Sequence, residues 1–315
     1  MKRLAISKAI YGVAFCVALT LGSLQAQAQV VALGTAQAGF TVTYGTAVAK
    51  VVTERAGLQM RTQALSSTGQ YAPRVNAGEL EFGMSNIIET TFSFQGKDMF
   101  EGKPNPNLRM AFNMFPQPIV FQTPQKVKIS NPKDLLALRM PVGWNAQRVG
   151  DNIFRGFFAN MNMSYEPAKG VPIPAMPRMW DLFGQGELDL VFSILNASLN
   201  KEMAVKVGGL SYISVNDDEA AVARMQPFLP GSYVTHDIDV ETGNVVKNIS
   251  FDFVVYTSTR VSEDIVYRVV KAIHQGDEQL RTYDGNWKPN LVKKNALEYH
   301  PGAIRYYKEA GIWKD

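Results

Sequence analysis

The side chains that most often carry catalysis are thinly spread in this sequence. Its three histidines, His236, His274 and His300, are scattered, and no two have the H-x-x-x-H spacing that places a zinc pair on one helix face. Acids lie near two of them, Asp239 by His236, and Asp277 and Glu278 by His274. With no second histidine or cysteine alongside, these read as ordinary solvated groups. Two carboxylate pairs, Glu79/Glu81 and Glu187/Asp189, each fall on one face of an alternating strand, and read as solvated edges following a helix rather than as a glycosidase pair. Ser85 lies in Gly83-Met84-Ser85-Asn86, which lacks the closing glycine of a nucleophile elbow, and there is no P-loop. His300, just before Pro301, reads as a capping or packing residue. No catalytic residue, metal site or cofactor is expected.

What remains is binding chemistry. An apolar run at residues 30–33 reads as a buried strand, and residues 46–52 have helical spacing, with Ala47, Val48, Val51 and Val52 on one face. Between them lies a loop of small residues, including Gly34, Thr35, Ala36, Ala38 and Gly39. Strand, small-residue loop and helix together present free backbone N–H groups and the positive end of a helix dipole. The loop has no G-x-G-x-x-G, so the expected guest is a small anion or carboxylate and not a dinucleotide. Ser66-Ser67-Thr68-Gly69 offers hydroxyls at a second helix start, where they either cap orphan N–H groups or face a ligand.

The elements that must position these groups follow in order. Residues 58–65 alternate as a half-exposed strand, a helix runs from Ser67-Thr68 to Gly78, and residues 79–85 form a third strand. Residues 96–106 are a polar loop, and residues 108–120 return as apolar strands interrupted by Pro116 and Pro118. A polar boundary at residues 123–132 opens a second unit, with a strand at 139–142, a loop at 143–146, a helix at 147–159 and a short helix at 179–183. The prolines within residues 171–177 exclude regular helix or central strand, and a strand follows at 188–192. The last third holds a strand at 210–215, a helix capped by Asn216, a hairpin turn at 239–244, a strand at 249–256, a helix capped by Ser262 and a terminal helix at 300–311 closed by Gly311.

The two units can be laid on each other. Gly78-Glu79-Leu80-Glu81 recurs as Gly186-Glu187-Leu188-Asp189, and each is followed by a serine, Ser85 and Ser193. The first loop glycine precedes the glutamate by 45 residues in one unit and 44 in the other. This predicts a duplicated α/β architecture with two loop-and-helix ends across one cleft, where ligands bind at the carboxyl ends of strands.

Composition narrows the setting. Lys2, Arg3 and Lys8, an apolar stretch at residues 9–21 and Ala26-Gln27-Ala28 read as a leader cleaved after Ala28, the alternative being an uncleaved anchor. Cleavage removes Cys16, the only cysteine, and leaves 287 of the 315 residues, enough for two lobes. The formal charge falls from +4 to +1, since three cations and no acid lie in the leader, which removes the case for nucleic-acid binding.

Together these residues resemble the TAXI family, the extracytoplasmic solute receptors of TRAP transporters. The resemblance rests on Gly34-Thr35-Ala36-Gln37-Ala38-Gly39, Ser67-Thr68, the turn from Gly78 to Glu81, Asn107-Leu108-Arg109 and, most sharply, the His300-Pro301-Gly302-Ala303…Tyr306-Tyr307…Glu309…Gly311 tail. It implies an α/β, two-lobed type II periplasmic-binding-protein fold with a ligand cleft between lobes. Residues 1–28 would be the leader, 29–123 the first lobe, 124–250 the second and 251–315 the return to the first. It also implies a monomer in the periplasm that closes on its ligand and docks on TRAP membrane subunits, without ATP or catalysis. Expected ligand-binding residues are Thr35, Gly39, Phe40, Thr41, Ser67, Thr68, Ser85, Asn86, Trp144, Asn145, Ala146 and Ser193.

Departures from the family pattern place Phe40, Val42 and Trp144 where tyrosine and serine hydroxyls are usual. The expected ligand shifts from a glutamate-like one to a small organic acid with a larger apolar or aromatic body. Its carboxylate would sit near Thr35, Thr68 and Ser85, with Arg61, Arg74 and Arg148 as possible ion-pair partners. Trp144 and Phe40 either cover the ligand or pack locally. The alternatives are a receptor for a tripartite tricarboxylate or ABC importer, a membrane sensor, or a periplasmic hydrolase using Ser85 or Ser193.

Overall fold

The computed structural model describes residues 28–37, 40–145, 147–283, 287 and 291–313, without the side chain of Phe40. Residues 1–27, where the leader is expected, Gly39 and Ala146 lie outside the described residues.

The first half alternates strand and helix: β1 (Gln29–Ala36), α1 (Phe40–Arg55), β2 (Leu58–Leu65), α2 (Thr68–Ala77), β3 (Phe82–Asn86) and α3 (Ile87–Gln95). β1 pairs parallel with both β2 and β3. The small-residue loop is shorter than expected, because Gly34, Thr35 and Ala36 belong to β1 and α1 begins at Phe40. Thr41, Thr43 and Gly45 are weak helix formers, and Gly45 alone costs about 1 kcal/mol relative to Ala. Burial outweighs that cost. Val48, Val51 and Val52 are 0% exposed, at roughly 1.5–3 kcal/mol each. The glycine itself is needed, since a Cβ at Gly45 would stand 2.7 Å from Thr35 Cγ2. Thr41 Oγ1 accepts the Ala36 N–H at 3.0 Å and closes the turn. Helix α3 was not evident from the sequence. Asn86 caps it by accepting the Glu89 N–H, and it shows no apolar stripe because threonines and a serine are buried in it alongside Ile87, Ile88 and Phe92.

β4 (Leu108–Pro124) then leaves the first half as a single strand of 17 residues, where the prolines suggested an interruption. The Pro118 carbonyl accepts the Leu195 N–H at 2.9 Å, so the residue turns its donor-less nitrogen to that same side, past the last paired residue of the neighbouring strand. Pro116 is two residues away and points likewise. Neither nitrogen faces β10, so the ladder with that strand is kept.

The second half repeats the order of the first: β5 (Arg139–Gly143), α4 (Val149–Asn160), β6 (Lys169–Ile173), α5 (Met176–Gly184), β7 (Val191–Ile194) and α6 (Ser198–Val207). β5 and β6 pair parallel as a separate two-stranded sheet, in which Pro172 occupies an edge strand. The chain continues through β8 (Leu210–Ile213), α7 (Glu219–Met225), β9 (Tyr233–Ile238), β10 (Val245–Ser258), α8 (Glu263–Gln275), α9 (Asp277–Tyr283) and α10 (Pro301–Glu309). Asp218, not Asn216, caps α7, since the helix begins at Glu219 and the Asp218 carboxylate accepts the Ala221 N–H, while Asn216 is tied by its backbone to the Asn160 side chain.

The main sheet runs β2-β1-β3-β10-β4-β7, with β8 also on β4 and β9 also on β10. β10 pairs with β3 through Phe253–Thr257 and with β9 through Val245–Ser250. β4 carries β7 and β8 at its far end, from Ile119 to Pro124. These two strands therefore run from one half into the other side by side.

The repeated G-E-L-acid turn is built the same way twice. Gly78 and Gly186 take left-handed φ values of 76° and 75°, which favour glycine. The next residues, Glu79 and Glu187, donate back to Arg74 O at 2.9 Å and Leu182 O at 2.8 Å, closing each helix. The following acids were expected to be solvated. Instead, Glu81 Oε2 accepts the Ala32 N–H at 2.6 Å, and Asp189 Oδ2 accepts the Arg139 N–H at 3.0 Å. Each acid clasps the first strand of its own half.

Candidate functional site

Because β1, β2 and β3 are parallel, their carboxyl ends at Ala36, Leu65 and Asn86 share one edge, and α1, α2 and α3 start there. β5, β6 and β7 end at Gly143, Ile173 and Ile194, each followed by the start of a helix. The halves touch across the cleft between these edges. Arg148, at the start of α4, pairs with Asp98 at 3.0 Å, and Asn152 Nδ2 donates to the same carboxylate at 3.2 Å. Gly231 comes so near Ile87 that a Cβ there would stand 3.2 Å from Ile87 Cγ1.

The first half gathers three of the expected residues around one that the sequence reading missed, Glu89. Its Oε2 accepts from Asn86 Nδ2 at 2.7 Å, Ser85 Oγ at 3.1 Å and Thr68 Oγ1 at 3.2 Å. Thr68 Oγ1 also lies 3.0 Å from Tyr71 Oη, whose own proton goes to Met84 O at 2.7 Å. Burial pushes the Glu89 carboxyl above its ordinary range, and the three hydrogen bonds oppose that shift. The Tyr71 phenol is raised by burial and then by the charge of Glu89. Tyr256 Oη has no hydrogen-bond partner among the described residues, and its phenol is raised by burial and then by the charges of Tyr71 and Glu89. The signal for Glu89 was present as Asn86 followed three residues later by an acid, the pattern of a helix start.

Thr35 and Thr41 lie at the β1–α1 junction, both buried. Thr35 packs on Gly45, and the Thr41 hydroxyl is used within the turn. Ser67 is the extended N-cap residue of α2, but its side chain makes no capping bond. Trp144 is 1% exposed, with its ring 5.8 Å from that of Phe192 and 6.2 Å from that of Phe154. A Cβ at Gly150 would collide with it. The ring is therefore part of the core of the second half. Asn145 is exposed beside it, and Ser193 Oγ donates to Gln122 Oε1 at 3.3 Å. Of the three arginines, Arg61 and Arg74 are exposed on the first half, and only Arg148 lies in the cleft.

The histidines take up other tasks. His300 caps α10 by accepting the Gly302 N–H, and burial lowers its pKa. His274 Nδ1 bonds Tyr306 Oη at 2.7 Å, and His236 Nε2 bonds Asp217 at 2.9 Å. A surface groove of about 890 Å³ beside the C-terminal segment, lined by Lys293, Tyr299 and Trp313 among others, contains none of the expected site residues.

Two strand-helix halves joined by long crossing strands, with helix starts facing across a cleft, define the periplasmic-binding-protein fold. Solved structures agree with that class. PhnD1 from Prochlorococcus marinus, in complex with methylphosphonate, aligns with TM-score 0.54 at 11% identity over 90% of this chain and 99% of that one. A TctC solute-binding protein from Polaromonas gives 0.52 at 12%, over 91% and 97%. The R. palustris protein Rpa4515 with adipate gives 0.52 at 16%, over 91% and 94%. The NMT1-like family matches residues 33–311, and the chain belongs to that family. Among the described residues no helix is long and apolar enough to cross a membrane.

Proposed function

We propose that this chain is an exported receptor that closes its two halves on a small organic acid with an apolar body and delivers it to a TRAP-type secondary transporter. The lobes in this reading are residues 29–123 with 251–315, and residues 124–250. The observation that carries it is the cleft itself: two halves of the same element order, hinged on β4 and β10 and bridged by Asp98 and Arg148. Such an arrangement has no use in a rigid scaffold and a direct one in trapping a solute.

The apolar part of the ligand is supported by an aromatic group at the crossing strands. Phe115 and Phe253 are stacked with ring centres 5.8 Å apart, and Tyr44 lies 4.5 Å from Phe115; the three are 6–8% exposed, at the rim of the core rather than sealed within it as Trp144 is at 1%. Phe253 is opposite Asn86, the last residue of β3, so the stack is level with the cleft edge. The acid group is supported by the uncapped start of α2 and by the ligands of similar folds, adipate and methylphosphonate. The likeness to a TctC protein favours, as a second reading, a receptor for a tripartite tricarboxylate transporter.

Native mass spectrometry of freshly purified protein should find a co-purified small acid, and a panel of mono- and dicarboxylates should raise its melting temperature. Tight glutamate binding with no response to aromatic or branched acids would overturn the apolar-body reading. Solute uptake reconstituted with TRAP membrane subunits, and not with tricarboxylate-type subunits, would separate the two transporter readings.

A further inference from the structure

We propose that Glu89 is the charge-selecting residue of the cleft: it accepts a protonated nitrogen of the solute and rejects a second carboxylate. The inference rests on the solute-capture reading above and adds the chemistry of the ligand's other end.

The hydroxyls that a ligand carboxylate would need in the first half, those of Thr68 and Ser85, are already turned to a resident carboxylate. Together with the Asn86 amide they converge on Glu89 Oε2 at 2.7–3.2 Å. The other oxygen, Oε1, receives no hydrogen bond from the described residues, and Glu89 remains partly exposed at the cleft edge. Among the described residues no lysine, arginine or histidine pairs with it. The charged group that acts on it from the neighbouring turn is Asp98, also an acid, and Arg148 is spent on Asp98. Tyr71 and Tyr256 face the cluster from α2 and β10 and supply no positive charge.

A carboxylate held in protein surroundings without a counter-charge is costly, and it must gain either a proton or a cation when the cleft closes. The three donors on Oε2 oppose the effect of burial, and a protonated nitrogen brought to Oε1 adds the counter-charge that keeps the carboxylate ionised, a cation that only the solute can bring. A second carboxylate brought to Oε1 would meet like charge in a poorly screened cleft. A role in starting α3 accounts for the Asn86 contact alone. The hydroxyls of Thr68, from α2, and Ser85, from β3, do nothing for that helix.

The test compares two probes that differ only at one end, adipate and 5-aminopentanoate, by calorimetry on the wild type and on Glu89→Gln. Glutamine keeps an oxygen for the three donors, so the fold and the rest of the cleft are retained. The wild type is expected to bind 5-aminopentanoate more tightly than adipate by about 10- to 100-fold, the range of a hydrogen bond to a charged group. Glu89→Gln should lose most of that preference, and a solute co-purified with the wild type should carry a protonated nitrogen. Equal or tighter adipate binding by the wild type, a preference unchanged in Glu89→Gln, or a co-purified solute without such a nitrogen overturns the inference and leaves solute capture standing. Absence of any bound solute, added or co-purified, overturns both.

Discussion

Replacing Asp98 with asparagine should loosen the closed state without disturbing the fold. Asp98 has φ 53°, a left-handed value that Asn tolerates well, so the backbone turn is kept. The change removes the charge that holds Arg148 at 3.0 Å across the cleft, while an oxygen remains for Asn152 Nδ2. The Arg148 side chain is 58% exposed and that of Asp98 15% exposed, so the pair is worth only about 0.5–1 kcal/mol. Spent on one conformation alone, that energy shifts the closed-to-open ratio by roughly 2- to 5-fold. Energy transfer between dyes on the two halves should show a larger open fraction for Asp98→Asn, and its affinity for any captured solute should fall by the same factor. High salt should shrink the difference by weakening the wild type, because the pair is screened. The reverse charge partner gives the control: Arg148→Met should produce the same shift, and the double variant no further one. An unchanged distance distribution would refute the bridge as a closing contact. An affinity loss well beyond tenfold would mean that Asp98 touches the solute itself.

Two further outcomes test the fold that carries the cleft. Asp189 accepts three bonds from Arg139, at 3.0, 2.8 and 2.6 Å, so Asp189→Ala should lower stability at pH 7 by about 1–2 kcal/mol, discounted for the partly exposed arginine. Arg139 holds that carboxyl below its ordinary value of about 3.9, so the contribution is complete above roughly that pH and is lost as pH falls through the lowered native value. Urea midpoints of wild type and variant should therefore converge as the pH is taken below the ordinary carboxylate range, and a gap that persists would assign the loss to packing. Gly83→Ala should cost about 1–3 kcal/mol in urea unfolding, since its Cβ would stand 2.5 Å from the Tyr256 ring; an unchanged midpoint would mean that the ring moves aside freely.

Legibility from sequence varied with the range of the interaction. The His300-capped terminal helix, the Ser262 cap and the two G-E-L-acid turns were readable because their partners lie within a few residues in the chain. The start of α1 was hidden because Thr41, Thr43 and Gly45 argue against helix, and only packing on β1 reverses that preference. The unbroken course of β4 was hidden because the harm done by a strand proline depends on which neighbour its nitrogen faces. At the site, Thr68, Ser85 and Asn86 were readable as a group of polar ends. Glu89 carried only the faint signal of an acid three residues after Asn86, since the segment around it has no clean period of its own.

The sequence by itself determined the duplicated order of strands and helices, the places where helices begin beside hydroxyls, and the lack of a spaced catalytic or zinc motif. Those follow from local pattern, capping chemistry and side-chain inventory. Only the tertiary structure decided what the hydroxyls do. It turned Thr68 and Ser85, from separate elements, onto the Glu89 carboxylate, placed Trp144 in a core, and set Asp98 against Arg148. The reason is physical: a hydrogen bond or ion pair between elements is fixed by how sheets and helices stack, and spacing along the chain carries no record of that.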